Sequence, residues 1–303
     1  MTIAVTGATG FVGQALLDAA AAEGLTLRAL TRKPQSERAG VEWVRGDLAD
    51  TAALAQLVHG ARAVIHVAGL TTAPDAAAFE AGNVKGTMAV VEAVLAAGVP
   101  RLVAVSSLAA REPGLSLYGS SKARGERVVK ASGLDWTIVR PPAVYGPRDD
   151  AMFELFRSAR LGVVPAVRGG RTSLIHADDL ARLLLALVPG GEGVSHQTFE
   201  PDDGRRGGWR QDELARAIGW AVGRARVWVP CLTRGMLEWA ARGDMLLRRG
   251  KAKLTLDRAG YMAHPDWMAS EGAGVPAELW RPRIETRDGL RATAEWYRRE
   301  GWF

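Results

Sequence analysis

Short apolar runs, rich in β-branched residues, alternate with longer stretches of helical period along the first 185 residues of this 303-residue chain. Residues 3–6, 26–30, 41–44, 63–67, 102–106 and 137–139 are the short runs, and their alternation with helical stretches predicts a parallel sheet. Between them, residues 11–22, 51–58, 79–97, 118–131 and 152–160 read as helical patterns, each long enough for a crossover helix. Strands joined by right-handed helical crossovers give an α/β fold with a doubly wound parallel sheet. After Tyr145 the pattern shortens. Gly146-Pro147-Arg148, Gly169-Gly170 and the loop-like stretch 200–208 punctuate smaller elements, which read as a second lobe.

Composition narrows this picture only a little. Apolar residues are 48% of the chain and charged residues 24%, ordinary values for a globular protein, and Cys231 is alone, so no intrachain disulfide is available. The net charge of +6 is uneven: residues 1–150 hold 15 basic and 14 acidic side chains, and the remainder holds 24 and 19. Nothing in this excess singles out nucleic acid, and no nucleic-acid partner is expected. Glu92 and Arg101 interrupt the most apolar region, so a membrane span is not expected, and the first residues read as a strand rather than a leader. A cytoplasmic protein follows from these features.

The first candidate chemistry is Thr6-Gly7-Ala8-Thr9-Gly10-Phe11-Val12-Gly13, which sits between a predicted strand and a predicted helix. Glycines there allow a tight turn and a close backbone approach, and the helix amides that follow can face a pyrophosphate. The second predicted strand ends in Leu30-Thr31-Arg32-Lys33. No carboxylate stands where it would hold the ribose hydroxyls of NAD, whereas Arg32 can pair with the 2′-phosphate of NADP. NADP(H) is therefore expected over NAD(H). A plainer reading makes Arg32 and Lys33 two solvated surface cations.

Tyr118-Gly119-Ser120-Ser121-Lys122 places a tyrosine and a lysine four residues apart in a predicted helix, so both share a face. An ammonium beside a phenol lowers its pKa toward the range of a working proton shuttle. Ser106-Ser107 ends the fifth predicted strand, at the sheet edge where such folds bind ligands, and no nucleophile elbow surrounds it. His176 lacks a second histidine or cysteine at ligand spacing, so no metal site is expected; for His176 and for Asn83 the reading favoured here is core packing.

The glycine loop, Gly46-Asp47-Leu48, His66-Val67-Ala68-Gly69, Asn83-Val84-Lys85-Gly86-Thr87, the Tyr118/Lys122 pair, Arg140-Pro141-Pro142-Ala143-Val144-Tyr145-Gly146-Pro147 and Ile175-His176-Ala177-Asp178-Asp179-Leu180 follow one another in order. Together they resemble the extended (atypical) short-chain dehydrogenase/reductase family, of the NAD-dependent epimerase/dehydratase type, over residues 6–180. Gly69 stands where that family usually has alanine. The resemblance implies a Rossmann domain over residues 1–188, carrying a substrate-lobe insertion at about 146–171, and a substrate-binding lobe over 189–303. It implies cofactor contacts at Gly7, Thr9, Gly10, Phe11, Val12 and Gly13, at Arg32, and at Asp47 and Leu48 beside the adenine. Val67, Ala68 and Gly69 would line the cofactor, with Tyr118, Lys122, Pro141 and Val144 completing its site. Ser107 would hydrogen-bond a substrate carbonyl, Tyr118 would transfer the proton, and Lys122 would hold the nicotinamide ribose.

Residues 232–253 set Met236, Leu237, Trp239, Ala240, Met245, Leu246 and Leu247 among Arg234, Arg242, Arg248, Arg249, Lys251 and Lys253, against only Glu238 and Asp244. Such a basic amphipathic segment suits peripheral contact with an anionic membrane, on its inner face; a lid helix packed on the core fits the same periodicity. Leu254-Thr255-Leu256-Asp257-Arg258-Ala259 and His264-Pro265-Asp266-Trp267, after the Ser173-Leu174-Ile175-His176-Ala177-Asp178-Asp179 stretch, resemble bacterial reductases of sphingolipid (ceramide) synthesis. That likeness implies an NADP-dependent oxidoreductase reducing a long-chain lipid ketone, such as a keto-sphingoid base or keto-ceramide, to its alcohol. Two alternatives stay open: a nucleotide-sugar epimerase or dehydratase, and a catalytically inert NADP-binding assembly or regulatory protein. The partner is a small-molecule or lipid substrate, and a homodimer is compatible with the sequence.

Overall fold

The computed structural model describes residues 2–248 and 254–303. Arg249, Lys251 and Lys253 of the basic segment lie outside the described residues. The chain divides into two interleaved units: Met1–Pro141 with Asp178–Pro201 and Ala273–Arg281, and Pro142–Ala177 with Asp202–Gly272 and Pro282–Phe303.

The first unit is built on a parallel seven-stranded sheet. Its strands are β1 (Ile3–Thr6), β2 (Leu27–Thr31), β3 (Val41–Arg45), β4 (Ala63–His66), β5 (Arg101–Val105), β6 (Asp135–Val139) and the short strand Gln197–Phe199. In space they run Gln197–Phe199, β6, β5, β4, β1, β2, β3, every neighbouring pair parallel. Chain order reverses between β1 and β4, where Ile3 pairs with Leu27 on one side and Ala63 on the other. A crevice forms outside the carboxyl ends of such strands because the crossovers leave to opposite faces there.

Helices α1 (Phe11–Ala22), α2 (Thr51–Val58), α3 (Ala76–Phe79), α4 (Gly86–Ala96) and α5 (Leu117–Lys130) cover the sheet. One core layer joins Ala4, Leu30, Val64, Leu102 and Ile138 of the strands to Leu54, Leu57, Val90 and Val94 of α2 and α4. Each fully buried valine, leucine or isoleucine among them contributes about 1.5–3 kcal/mol of transfer free energy. Residues 79–97, read in the sequence as a crossover helix, lie in an unbroken helical run from Ala76 to Ala96, in which a π-turn over Glu80–Lys85 joins α3 to α4. Gly82 sits in that turn, where a Cβ would meet Leu70 Cδ1 at 2.7 Å, and the extra residue per turn brings Asn83 inward. Such turns are frequent at functional sites.

The second unit gathers Tyr145, Phe156, Trp209, Leu214, Ile218, Leu290 and Tyr297 into its own core. Three small sheets brace it, pairing Ala143–Tyr145 with Leu174–His176, Arg171–Thr172 with Trp209–Arg210 and Asp266–Trp267, and Ala166–Val167 with Cys231–Leu232. His176 is buried there, its ring edge-on to Tyr145 at 5.1 Å. The division differs from a split at residue 188: the second unit starts at Pro142, and Gln197–Phe199 pairs with β6 in the first. Among the described residues no helix is long and apolar enough to cross a membrane.

Candidate active site

At the β1–β4 reversal the chain turns sharply after Thr6. Gly7 adopts φ +74°, and a Cβ there would lie 2.5 Å from Ala68 N. A Cβ on Gly13 would lie 2.1 Å from Gly7 O, so α1 can start against the loop only without a side chain. Gly10 is the N-cap of α1 and offers no side chain to its first amides. An uncapped helix start bearing glycine backbone on its open side is what a pyrophosphate requires. The residues present therefore fit a dinucleotide. Thr9 and Gly10 are exposed, Phe11 and Val12 half-buried, at this loop.

Beyond β2, an open groove of about 430 Å³ is lined by Arg32, Arg45, Gly46, Asp47 and Asp50. Arg45 was not evident from sequence. It ends β3 directly opposite Thr31, a placement that only the strand register reveals. Among the described residues neither arginine has an ion-pair partner. Asp47 accepts from Ala49 N at 2.8 Å and Asp50 from Ala53 N at 3.0 Å, so both carboxylates serve the backbone. Thr31 does the same, its hydroxyl donating to Lys33 O at 2.7 Å and fixing the exit of β2. Leu48 packs into the core beside α4, with its Cδ1 2.7 Å from where a Cβ on Gly86 would stand.

Val67, Ala68 and Gly69 leave β4 between the glycine loop and α5. Ala68 approaches Gly7 on one side, while a Cβ on Gly69 would lie 3.3 Å from Lys122 Nζ and 3.2 Å from Asn83 Oδ1. A side chain at position 69 would therefore crowd both groups. Asn83 accepts from Leu70 N at 2.6 Å, donates to Leu70 O at 2.9 Å and donates to Ser121 Oγ at 2.8 Å. It is thus a packing residue that fixes the loop after β4 against α5.

Helix α5 begins at Ser116, whose Oγ accepts from Gly119 N at 2.9 Å. Small residues let it approach closely: a Cβ on Gly119 would sit 2.6 Å from Ala109 O, and one on Gly125 2.8 Å from Asn83 O. This seats Tyr118 and Lys122 on one face, with a side-chain hydrogen bond between Tyr118 and Ser107. Ser107 caps the turn after β5, where its Oγ accepts from Ala109 N at 3.2 Å. Lys122 Nζ donates to Val105 O at 2.8 Å. Burial lowers its pKa to about 8, while the charge of Glu126 holds it up. Contrary to the sequence expectation, the Tyr118 phenol is raised: burial outweighs the Ser107 hydrogen bond. Its ground state is the neutral phenol.

Beneath this face lies a charged layer that sequence reasoning missed. Glu126, buried one turn after Lys122, accepts from Ser106 Oγ at 2.6 Å and from Arg140 Nε and Nη2 at 2.8 and 2.7 Å. Arg140 also reaches Glu200 at 3.3 Å, and Glu200 meets Arg111 at 3.2 Å. His66 is held on both sides, Nδ1 to Thr6 Oγ1 at 2.7 Å and Nε2 to Thr87 Oγ1 at 3.1 Å. Because Thr87 donates its proton to Asn83 O, its oxygen accepts from His66, which places the ring proton on Nε2. Burial, aided by the Lys122 charge, drives the His66 pKa down to about 3. Pro141 closes the first unit, its carbonyl accepting from Leu108 N at 3.1 Å, and Val144 lies in the second unit, in the strand Ala143–Tyr145.

Residues 7–188 match a family model described as NAD(P)H-binding. The chain is 37% identical to the ceramide reductase of Caulobacter vibrioides, over 99% of this chain and 95% of that protein. It is 30% identical to the 2-alkyl-3-oxoalkanoate reductase of Stenotrophomonas maltophilia, over 96% and 98% of the two chains. Its fold superposes on dTDP-glucose 4,6-dehydratase from Streptomyces venezuelae, solved with NAD, with a TM-score of 0.75 at 24% identity over 100% and 99% of the chains. The chain therefore belongs to the NAD(P)H-binding family, and its curated relatives include reductases matched along nearly their whole length.

Proposed function

We propose that the protein is an NADPH-dependent reductase that converts a ketone on a long-chain lipid, a keto-ceramide or keto-sphingoid base, to a secondary alcohol. The observation that carries this reading is the Ser107–Tyr118 hydrogen bond, with Lys122 one turn along α5 and beside Gly69. The full-length likeness to a ceramide reductase supports the substrate class. Arg32 and Arg45 favour the cofactor that carries a 2′-phosphate.

Bound NADPH would supply the hydride to the carbonyl carbon. Ser107 donates a hydrogen bond to the carbonyl oxygen and so polarises it. Burial keeps the Tyr118 phenol protonated, which is the form a donor needs. As the C=O electron pair moves to oxygen, Tyr118 gives up its proton there. The product is a neutral alcohol, and the phenolate later regains a proton from solvent. Lys122 in its cationic form stabilises that phenolate, and Val105 O fixes the direction of its ammonium.

The test is NADPH oxidation with ketones matched in head group and differing in chain length. Faster turnover of the long-chain members, with NADPH preferred to NADH, is the expected result. Turnover confined to nucleotide sugars would overturn the assignment.

A further inference from the structure

Helix Arg234–Arg248 packs on its lobe by one side only: Leu237 and Ala241 are buried against Ala259, with Val167, Leu232 and Met262 around them. At 100° per residue, Met236, Trp239, Gly243, Leu246 and Leu247 fall within an arc of about 100° turned away from that contact. Their exposure is extreme for apolar side chains, at 74% for Trp239, 79% for Leu246 and 85% for Leu247. At the middle of the arc, a Cβ on Gly243 would meet nothing within 4 Å. A contiguous apolar stripe that the protein leaves in water marks an interaction surface.

Charge selects the partner. Glu238 and Asp244 both lie off the stripe and are held by Arg234 and Arg248 at 2.9 Å. Arg242 borders the stripe instead, with its guanidinium 5.7 Å from the Trp239 ring centroid. No carboxylate lies on this arc, and in sequence Arg249, Lys251 and Lys253 follow with no acidic residue among them. A second copy would press the same cations against themselves. A bilayer bearing anionic headgroups meets both features: acyl chains take the leucines, the headgroup layer takes Trp239, and lipid phosphates take Arg242.

We propose that the Met236, Trp239, Leu246 and Leu247 stripe is a docking surface for an anionic lipid bilayer, on which the helix lies in the interfacial plane. The proposal stands apart from the Tyr118 chemistry. The experiment is flotation of the full chain on phosphatidylcholine vesicles with and without phosphatidylglycerol, comparing wild type, the triple variant Trp239→Ser/Leu246→Ser/Leu247→Ser and Arg242→Gln. Wild type should float with the anionic vesicles and less so as salt rises. The triple variant should lose about tenfold or more in partitioning, and Arg242→Gln about threefold, with melting temperature and turnover of a short soluble ketone retained. Absence of flotation on anionic vesicles, or equal flotation of the triple variant, overturns the proposal. So does a wild-type dimer that the triple variant abolishes, which would give the stripe to a second copy. Loss of ketone turnover in every protein, wild type included, would count against the reductase reading and leave this one intact.

Discussion

A methyl group on Gly69 would stand 3.3 Å from Lys122 Nζ and 3.2 Å from Asn83 Oδ1. The lysine end can yield, but Asn83 is pinned by Leu70 and Ser121. Gly69→Ala should therefore weaken NADPH binding a few-fold and cost about 1 kcal/mol of stability, while Gly69→Val should cost several times more. Isothermal titration and thermal melts check this; a Gly69→Ala protein that binds more tightly and melts higher would contradict it.

Cofactor choice should depend on two arginines. Arg32→Ala and Arg45→Ala should each lower NADPH affinity by about tenfold or more and leave NADH affinity nearly unchanged, since only NADPH presents the 2′-phosphate. Equal losses for both cofactors would place these side chains elsewhere in binding.

The alkaline limb of turnover should report Lys122. With its pKa lowered to about 8, the ammonium is lost as pH rises through that value, and turnover should fall with it. The Glu126 carboxylate favours the ammonium, so Glu126→Gln should move the limb to lower pH. A limb unmoved in a folded Glu126→Gln protein would rule out this coupling.

Acid stability should report His66. Its folded pKa of about 3 lies below the ordinary 6.5, so between these values the unfolded chain binds more protons. Stability is then complete above the unfolded pKa and falls, by a few kcal/mol, as pH drops from about 6.5 toward 3. Thermal melts across that window should show a slope that is shallower in His66→Gln.

The sheet was legible because its strands leave short apolar or β-branched runs that alternate with helical stretches, even at the edge strand β3, where only Val44 is buried. The strand Gln197–Phe199 was not, since two of its three residues are polar. The π-turn within residues 79–97 hides behind helical spacing, because residue pattern alone does not separate it from the α-helix on either side. Arg45 becomes visible only once β3 is in register with β2, and Glu126 reads as a surface carboxylate until Arg140 and Ser106 close over it. The interleaved second unit follows contacts that are distant in sequence, which periodicity does not encode.

The most direct measurement is single-turnover oxidation of saturating NADPH with a long-chain ketone by wild type and Tyr118→Phe, with cofactor affinity determined for both. Removing the phenolic proton while keeping the ring should slow the step by about 10²-fold or more at unchanged NADPH affinity. A Tyr118→Phe protein that reduces the ketone at the wild-type rate would contradict the account.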